Sequence, residues 1–543
     1  MRKFLAVSVL AMVVLALSLS LALAQVDQAA IDEVFVQTEE VRALMAEPDI
    51  KVNYLNREQL EQRMLEDFAE DNPEEEIQDA EDIMVMLGFI EPDLDLEEFY
   101  IALLTEQIAG FYDPEDNSLY LVSEDGSMSA GDRYTLSHEF VHYLQDQNFD
   151  LMRPPFHDPD DVEVETDDDA SFAATCLVEG DAVTASDIWL NEYFTEDDWV
   201  EYMAEGADYS FEVFESAPEY IQDSLLFPYL EGADFVDVIY DEGGFDAIDK
   251  AYSEPPTTTE QVYHPEKYIE GEGAVEVELA DMSSELGSGW ALDYDNVLGE
   301  FDVYELFKPY LSGNATERAA EGWGGNRYQY YSNDGGEKLL VQSYVWDSEK
   351  DAEEFISAYV QYVEERFGGE LEEGDAIGAW TTWSTDDYLL GLKMDGTDTY
   401  LVQATAEEPF RTAVAELGEE GDAIDKSSLE AVDDSSEETD LSVLVIAAVV
   451  GLLLLGVILV IVMFVLYRRP PPSQPPGGPY AYPGGGPGAG GPGPGAVPWA
   501  GGQAPPPPPS QPPPPPPSTV PPPPGSPATP PGEAPPQPPT ISE

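Results

Sequence analysis

Two of the chain's four histidines lie close together in the segment TLSHEFVHYLQDQNFDL. His138 and His142 are four residues apart, so on a helix both imidazoles project from one face. Glu139 lies between them and completes the pattern H-E-x-x-H, in which two histidines bind zinc and the glutamate acts on water. An ordinary amphipathic helix with histidines at its polar edge is the other interpretation. The scarcity of histidine and the uncharged flanking residues favour the metal site.

A zinc site of this kind needs a third protein ligand and keeps its fourth position open. In one version of the motif a glycine and a third histidine follow the second histidine, but this chain has Gln145 and Asn148 at those positions. The metzincin version is therefore excluded. His157 and His264, the two remaining histidines, do not have the required spacing.

A carboxylate is the better candidate for the third ligand. In ASFAATCLVEGDAVTAS, Glu179 shares a predicted helix face with apolar residues. A carboxylate on such a face is costly to bury unless it is paired or binds metal. The small residues Gly180 and Ala182 predict close approach of a neighbouring helix. Asp181 is the alternative ligand, and a helix-edge Glu179 in a salt bridge is the alternative without metal.

These residues resemble the gluzincins, zinc metallopeptidases that combine H-E-x-x-H with a downstream glutamate on a second helix. The resemblance covers His138–His142 and Glu179 directly. It implies an α+β fold with a mainly helical, zincin-like catalytic domain and Zn²⁺ as the cofactor. Thermolysin-like members have a shorter gap and an E-x-x-x-D signature, whereas this chain has Val183 at the last position. The chain is therefore not one of their close relatives.

A wider set of segments resembles a group of largely uncharacterised secreted bacterial H-E-x-x-H proteins. The segments are GFYDPEDNSLYLV, HEFVHYLQDQNFDL, LVEGDA, LLFPYLEGADFV and TTTEQVYHPEKY. This second resemblance extends over roughly residues 85–275. It supports the metal site and leaves the substrate open.

The resemblance implies hydrolysis of peptide bonds by a zinc-activated water, with Glu139 as general base. A further donor is needed for the developing oxyanion. His264 is the candidate, with Tyr263 or Tyr268 as alternatives, and a purely structural turn after Pro255-Pro256 is the other interpretation of that segment. By the same analogy, a strand at Leu119–Val122 is expected to be the sheet edge that pairs with an extended peptide.

The elements that must position these residues follow from hydrophobic periodicity. Residues 26–110 are expected to be mostly helical. The motif helix is expected over Asp132–Gln147, where Leu136, Phe140 and Leu144 form a buried stripe. Further helices are predicted at 167–193, with Thr166 or Asp167 as the N-cap, and at 197–206 and 217–250.

A change of sequence texture after Gly273 divides the long middle part of the chain. We expect a zincin-like metallopeptidase domain over 25–274. Strand-like runs then alternate with one clear helix, which predicts a separate α+β domain of unknown role over 275–430. An acidic linker follows at 431–440.

Both ends of the chain indicate export and membrane anchoring. Residues 1–24 have the charged start, apolar run and Ala22-Leu23-Ala24 end of a signal peptide. The uncharged run 441–467 is long enough for one transmembrane helix, and two arginines follow it. Positive charge stays on the cytoplasmic side. The N-terminal portion is therefore expected outside the cell membrane and the tail, 468–543, in the cytoplasm.

Composition restricts the partners further. The Pro/Gly-rich tail is expected to be disordered and suits a proline-binding partner, or is a plain spacer. A net charge of −90 excludes nucleic acid as a partner. The single cysteine, Cys176, permits no internal disulfide and is interpreted as a small buried hydrophobe. The acidic run 157–169 is a solvated loop or a structural Ca²⁺ site.

Two functions from different classes remain. One is a membrane-anchored extracytoplasmic zinc metallopeptidase that acts on peptides or proteins. The other is a catalytically silent cell-surface binding or scaffold protein on a zincin fold. The intact Glu139 favours the first, because a silent site could lose its base without losing structure.

Overall fold

The computed structural model describes residues 28–46, 50–71, 74–114, 116–123, 126–157, 167–206, 209–422 and 424. Four predicted segments lie outside these ranges: the signal peptide 1–24, the linker 431–440, the transmembrane run 441–467 and the tail 468–543. Most of the acidic run considered for Ca²⁺ lies outside them as well. Among the described residues, every helix is too short or too polar to cross a bilayer.

The described residues form seventeen α-helices and ten strands, which confirms the α+β class. The elements up to the second long helix are α1 (Gln28–Arg42), β1 (Lys51–Leu55), α2 (Arg57–Asp71), α3 (Glu74–Leu87), α4 (Leu96–Gln107), β2 (Gly110–Asp113), β3 (Ser118–Val122), α5 (Ala130–Phe149) and α6 (Asp168–Tyr193). A helical stretch follows with α7 (Glu196–Gly206), α8 (Glu212–Glu215), α9 (Glu219–Gly243), α10 (Phe245–Ala251), α11 (Thr259–Tyr263) and α12 (Pro265–Glu270). The remaining elements are α13 (Ser283–Leu286), β4 (Trp290–Asn296), α14 (Glu300–Phe307), α15 (Gly313–Ala320), β5 (Trp323–Asn333), β6 (Lys338–Trp346), α16 (Glu349–Phe367), β7 (Glu372–Glu373), β8 (Thr381–Ser384), β9 (Leu389–Asp395), β10 (Asp398–Ala404) and α17 (Glu407–Glu416).

A three-stranded sheet precedes the motif helix, with the order β1-β3-β2. β3 pairs with β1 in parallel and with β2 in antiparallel fashion. The expectation that Leu119–Val122 is the sheet edge is therefore wrong, because both of its sides are already hydrogen-bonded. The edge strand next to α5 is β2. The prediction that 26–110 is mostly helical is confirmed by α1 to α4. It missed β1 within that range, and β2, which begins at its end, was not predicted either.

The later part of the chain forms a second, larger sheet. Its seven strands have the order β4-β5-β6-β10-β9-β8-β7, and every neighbouring pair is antiparallel. Helix α16 packs on one face, where Phe355 contacts Tyr344 and Trp346. Helix α17 packs on the other face through Phe410 and Val414. Both faces are covered, which explains the apolar run of β6.

Helices α6 and α9 cross at very short distance in the centre of the helical part. A Cβ atom on Gly180 would lie 2.1 Å from the Gly232 carbonyl oxygen, and one on Gly232 would lie 2.6 Å from the Cys176 carbonyl oxygen. Two glycines at the crossing therefore allow backbone-to-backbone contact. This confirms the expectation that small residues after Glu179 admit a neighbouring helix. Cys176 is buried at the same crossing, and its burial raises the pKa of its thiol.

The described residues belong to one compact unit, and its main core continues across position 274. Phe172 of α6 and Phe227 of α9 pack on Phe301 of α14, with ring centroids 5.1 and 4.7 Å apart. The predicted helix 217–250 is two helices, because Gly244 adopts a positive φ between α9 and α10. These contacts place α14, which lies between β4 and β5 in the chain, directly against the helices that carry the candidate site.

Candidate metal centre

The motif helix α5 is held at its start by a capping box. The Ser129 hydroxyl accepts a hydrogen bond from the Asp132 backbone N–H, and the Asp132 carboxylate accepts one from the Ser129 N–H. Reciprocal bonds of this kind satisfy amides that the first helical turn leaves unpaired. The predicted stripe Leu136, Phe140 and Leu144 is buried as expected. The helix therefore presents His138 and His142 on consecutive turns, facing α6.

Glu179 meets both histidines from the middle of α6. Its Oε2 atom lies 3.3 Å from His138 Nε2 and 3.4 Å from His142 Nε2. The two Nε2 atoms are 3.2 Å apart. Both ring atoms are ones that histidine commonly offers to a metal, and the carboxylate is only 2% exposed. The structure thus brings together the three side chains that the sequence singled out as ligands.

These distances can be compared with the dimensions of a zinc site. Metal–nitrogen and metal–oxygen bonds of about 2.0–2.1 Å at tetrahedral angles put neighbouring ligand atoms about 3.3–3.4 Å apart. The three observed separations, 3.2 to 3.4 Å, match the edges of such a tetrahedron. Two imidazoles and one carboxylate are also a donor set that zinc accepts. The residues present therefore fit a zinc ion with one position left open.

Glu139 projects from the same helix toward the small sheet. Its Oε2 accepts a hydrogen bond from the Tyr112 backbone N–H, at 3.0 Å. That N–H points away from β3, so it belongs to the free edge of β2. Gly110 allows this close packing, since a Cβ atom there would lie 2.7 Å from Thr135 on α5. The base of the motif and the backbone of an edge strand are thus in direct contact.

Burial and neighbouring charges set the protonation of the metal-free site. Burial raises the pKa of Glu139, although both histidines oppose the shift. Burial alone would lower the pKa of His142, but the Glu179 carboxylate outweighs it and raises that pKa to about 9. For Glu179 burial is outweighed by the two imidazoles, which lower its pKa. Glu179 is therefore an anion, while Glu139 is the more basic carboxylate.

The structure adds Tyr229, which the sequence analysis did not assign. This residue lies on α9 within the quoted segment LLFPYLEGADFV, and its ring stacks beside that of His138, with centroids 6.1 Å apart. Its phenol is within hydrogen-bonding reach of Glu179 and feels the charge of Glu139. Burial and these two carboxylates raise its pKa far above the usual value. The phenol thus stays protonated and is a hydrogen-bond donor beside the cluster.

The residues proposed as oxyanion donors have other partners. His264 Nε2 lies 3.1 Å from Glu300 Oε1 on α14, Tyr263 packs on Phe227 and Tyr304, and the Tyr268 hydroxyl donates to the Glu254 carbonyl. These contacts connect α11 and α12 to their surroundings. They supply the structural role that was the other interpretation of this segment.

Asp181, the alternative third ligand, is directed away from the cluster. Its Oδ1 atom accepts a hydrogen bond from Arg42 Nε at 2.7 Å, and both side chains are fully buried. Oδ2 accepts from Gln145 and Tyr252, at 2.9 Å each. Arg42 and Gln145 are further residues that sequence reasoning missed. Gln145 carried a usable signal, because it lies one turn after His142 on the same helix face.

A second cluster of three carboxylates lies at the end of α11. Glu260, Glu272 and Asp347 bring oxygen atoms within 4.8 Å of one another. The Lys267 ammonium lies between them, at 2.6, 2.9 and 2.8 Å. A lysine therefore occupies the position that a cation would take. We refer to these four residues as the lysine cluster.

Comparison with known proteins covers only the later part of the chain. A family model described as a domain of unknown function (DUF8575) matches residues 286–414. That segment contains all seven strands of the large sheet and helices α14 to α16, and it excludes His138, Glu139, His142 and Glu179. Neither a curated protein nor a solved structure matches the chain. The case for the metal centre therefore rests on the residues themselves.

Proposed function

We propose that this protein is a zinc metallopeptidase in which His138, His142 and Glu179 bind the metal and Glu139 is the general base. The observation that carries the proposal is the ligand geometry, three donor atoms 3.2 to 3.4 Å apart with the carboxylate of Glu139 beside them. Bound at this site, zinc would lower the pKa of a water molecule and polarise the scissile carbonyl.

Glu139 is suited to move the proton in this reaction. Burial raises its pKa, so it is a stronger base than an exposed glutamate. It would accept a proton from the attacking water and deliver it to the leaving amine. Its hydrogen bond to the Tyr112 N–H holds the carboxylate at the boundary between α5 and β2. The position agrees with a base that acts on a peptide lying along this boundary.

The edge of β2 offers a binding surface for an extended peptide. Gly110 and Tyr112 direct their backbone polar groups away from β3, as their register requires. Edge groups of this kind bind peptides by adding a strand to the sheet, and the Tyr112 N–H, which donates to Glu139, is the one already bonded within the chain. A substrate bound there would pass Glu139 and the open side of the cluster, where His138 is 12% exposed. An endopeptidase acting on unfolded segments is the activity that this geometry supports.

Tyr229 is the donor best placed for the oxyanion. It lies against His138, keeps its proton because its pKa is raised, and reaches the cluster from α9. A donor preorganised at this position would stabilise negative charge on the carbonyl oxygen during attack. It takes the role that the sequence analysis proposed for His264.

The proposal extends to the predicted architecture. The helical part around α5, α6 and α9 would be the zincin-like catalytic domain, and the large sheet would be a second α+β domain of unknown role. The apolar run 441–467 would anchor both outside the membrane, with the Pro-rich tail inside. A silent surface protein is the alternative, and the contacts of Glu139 with the β2 edge argue for catalysis.

Metal content and peptide cleavage test this proposal on the full-length chain in detergent. The wild type should bind one zinc per chain and cleave an unstructured protein such as casein. Glu139→Gln keeps the hydrogen bond from Tyr112 and should retain zinc while losing roughly a thousandfold or more in kcat. Glu179→Ala should lose zinc. Tyr229→Phe should keep zinc and lose about a hundredfold in kcat.

The control is His264→Gln, which changes a histidine outside the cluster and should leave zinc content and kcat close to wild type. Full activity in Glu139→Gln, or a wild type without stoichiometric zinc, would exclude the metallopeptidase. Zinc without any cleavage by the wild type would instead favour the silent scaffold.

A further inference from the structure

The back of the metal centre contains a buried hydrogen-bond chain that ends on one ring of the cluster. His142 Nδ1 lies 2.9 Å from Gln145 Oε1. Gln145 Nε2 in turn lies 3.0 Å from the Val178 carbonyl oxygen and 2.9 Å from Asp181 Oδ2. Gln145 and Asp181 are both inaccessible to solvent. Neither Gln145 nor Asp181 is a proposed metal ligand. This series of buried hydrogen bonds therefore needs a separate explanation.

The direction of these bonds follows from their chemistry. The two neighbours of Gln145 Nε2 are a carbonyl and a carboxylate, which accept hydrogen bonds. The amide must therefore direct its NH₂ group to them and its oxygen to His142. An amide oxygen can only accept, so the proton of the neutral imidazole is on Nδ1. Nε2 is then left with the lone pair that a metal requires.

Asp181 holds Gln145 in this orientation together with the Val178 carbonyl. Its two oxygens accept from three donors, Arg42 Nε, Gln145 Nε2 and Tyr252 OH. The Arg42 guanidinium supplies the counter-charge and also lies 2.8 Å from Asp249. The Asp181 carboxylate can therefore remain an acceptor in a fully buried position, because it is both paired and hydrogen-bonded. Four segments of the chain, α1, α5, α6 and the end of α10, meet at this carboxylate.

We propose that Asp181 and Gln145 are positioning residues of the metal centre, which hold His142 in the tautomer that leaves Nε2 free to bind metal, with Arg42 as the counter-charge. This inference rests on the proposed metal site. The inference makes α1 part of the centre. Arg42, the last residue of α1, supplies the only cation in this hydrogen-bond network of described residues.

A single isosteric change tests the inference. Asp181→Asn keeps the shape but presents an NH₂ group toward either Gln145 or Arg42. An NH₂ group facing Gln145 would reverse its amide, so that an N–H meets His142 Nδ1 and the proton moves to Nε2. Zinc affinity should fall by about 10–100-fold, the usual effect of losing such a partner. In wild type loaded with Co²⁺, the His142 Nδ1–H should give a slowly exchanging, paramagnetically shifted proton signal, which Asp181→Asn should lose.

The double variant Gln145→Glu, Asp181→Asn separates tautomer control from simple damage to the core. It exchanges the amide and the carboxylate, so that the introduced carboxylate accepts from both His142 and the introduced amide at unchanged total charge, while the Val178 carbonyl loses its donor. The Nδ1–H signal and part of the affinity should return. Asp249→Asn is the matched control, since it removes the other carboxylate from Arg42 without touching Gln145, and should change zinc affinity by less than about fivefold.

The outcomes distinguish this inference from the proposed function. A wild type that binds no zinc would exclude the function itself. A wild type that binds zinc, together with an Asp181→Asn variant of equal affinity and an unchanged Nδ1–H signal, would overturn the positioning role alone. A folded double variant that stays as weak as Asp181→Asn would also overturn it, because restored hydrogen bonding would then have no effect on the metal.

Discussion

Two clusters of potential ligands occur among the described residues, and they differ in what lies between the donor atoms. At the candidate metal centre, the donor atoms of His138, His142 and Glu179 lie 3.2 to 3.4 Å from one another. In the lysine cluster, the ammonium of Lys267 lies between three carboxylates. Both clusters bring three potential ligand atoms within 4.8 Å of one another. Only the first has the donor types and the spacing of a zinc site.

The comparison shows why ligand identity decides more than ligand proximity. Two neutral imidazoles contribute lone pairs without adding charge, so one carboxylate can complete the set. Three carboxylates repel one another and need a cation, which Lys267 supplies from within the chain. In a protein with 111 aspartates and glutamates, a convergence of carboxylates carries little functional information. Histidines are scarce, and their convergence therefore carries the functional information.

The largest expected effect separates the two clusters by metal binding. His142→Ala should lower zinc affinity by about a thousandfold, because a binding free energy of about 10–16 kcal/mol is shared among few ligands. Glu260→Ala, in the lysine cluster, should leave zinc binding unchanged. Competition with a chromophoric chelator measures both affinities. Equal losses in the two variants would remove the distinction drawn between the clusters.

A change at the helix crossing should affect the metal centre through packing alone. Gly180→Ala places a methyl group 2.1 Å from the Gly232 carbonyl oxygen, so α6 and α9 must separate. We expect a loss of about 3 kcal/mol in the free energy of unfolding, together with weaker zinc binding, because Glu179 and Tyr229 lie on these helices. Denaturant unfolding of the metal-free chain measures the first effect. Gly313→Ala is the control, since its Cβ would meet nothing within 4 Å.

Removal of Lys267 should make the stability of the lysine cluster depend on an added cation. Lys267→Ala leaves three carboxylates unpaired, of which Glu260 is buried. The free energy of unfolding should fall by about 2 kcal/mol. This loss is smaller than for a fully buried ion pair, because Glu272 and Asp347 are half exposed. Millimolar Ca²⁺ should restore part of this stability in the variant and leave the wild type unaffected. Lys350→Ala, which breaks an exposed pair with Glu354, should leave the free energy of unfolding almost unchanged.

The smallest expected effect is a pH dependence in the lysine cluster. Burial raises the pKa of Glu260 to about 7, although Lys267 opposes the shift. The unfolded value is about 4.3, so between these limits the folded chain binds more protons than the unfolded one. The protonation of Glu260 therefore contributes stability that is fully present below about pH 4.3 and is lost as the pH rises through about 7. Glu260→Gln should therefore flatten the pH dependence of Tm in the metal-free chain by a few degrees. An unchanged slope would contradict the assignment.

Prediction from sequence succeeded where the signal is local. The motif helix expected at 132–147 is observed as Ala130–Phe149, and the helix expected at 167–193 as Asp168–Tyr193 with Asp167 as its N-cap. Periodicity and capping residues lie within each segment and are readable without a partner. The strand expected at Leu119–Val122 is observed as Ser118–Val122. The strands β1 and β2 were missed, because no pattern within those two segments reveals their pairing with distant parts of the chain.

The sequence by itself determined the motif, the identity of the third ligand candidate and the helices that carry them. Helical geometry brings residues four apart onto one face, and the rarity of histidine made that face conspicuous. Only the tertiary structure decided that β2 is the edge strand next to α5, that Tyr229 lies beside His138, and that Asp181 faces Arg42 and Gln145 while Glu179 faces the histidines. Each of these depends on contacts between elements far apart in the chain, above all on the glycine crossing of α6 and α9, and no local pattern encodes such contacts.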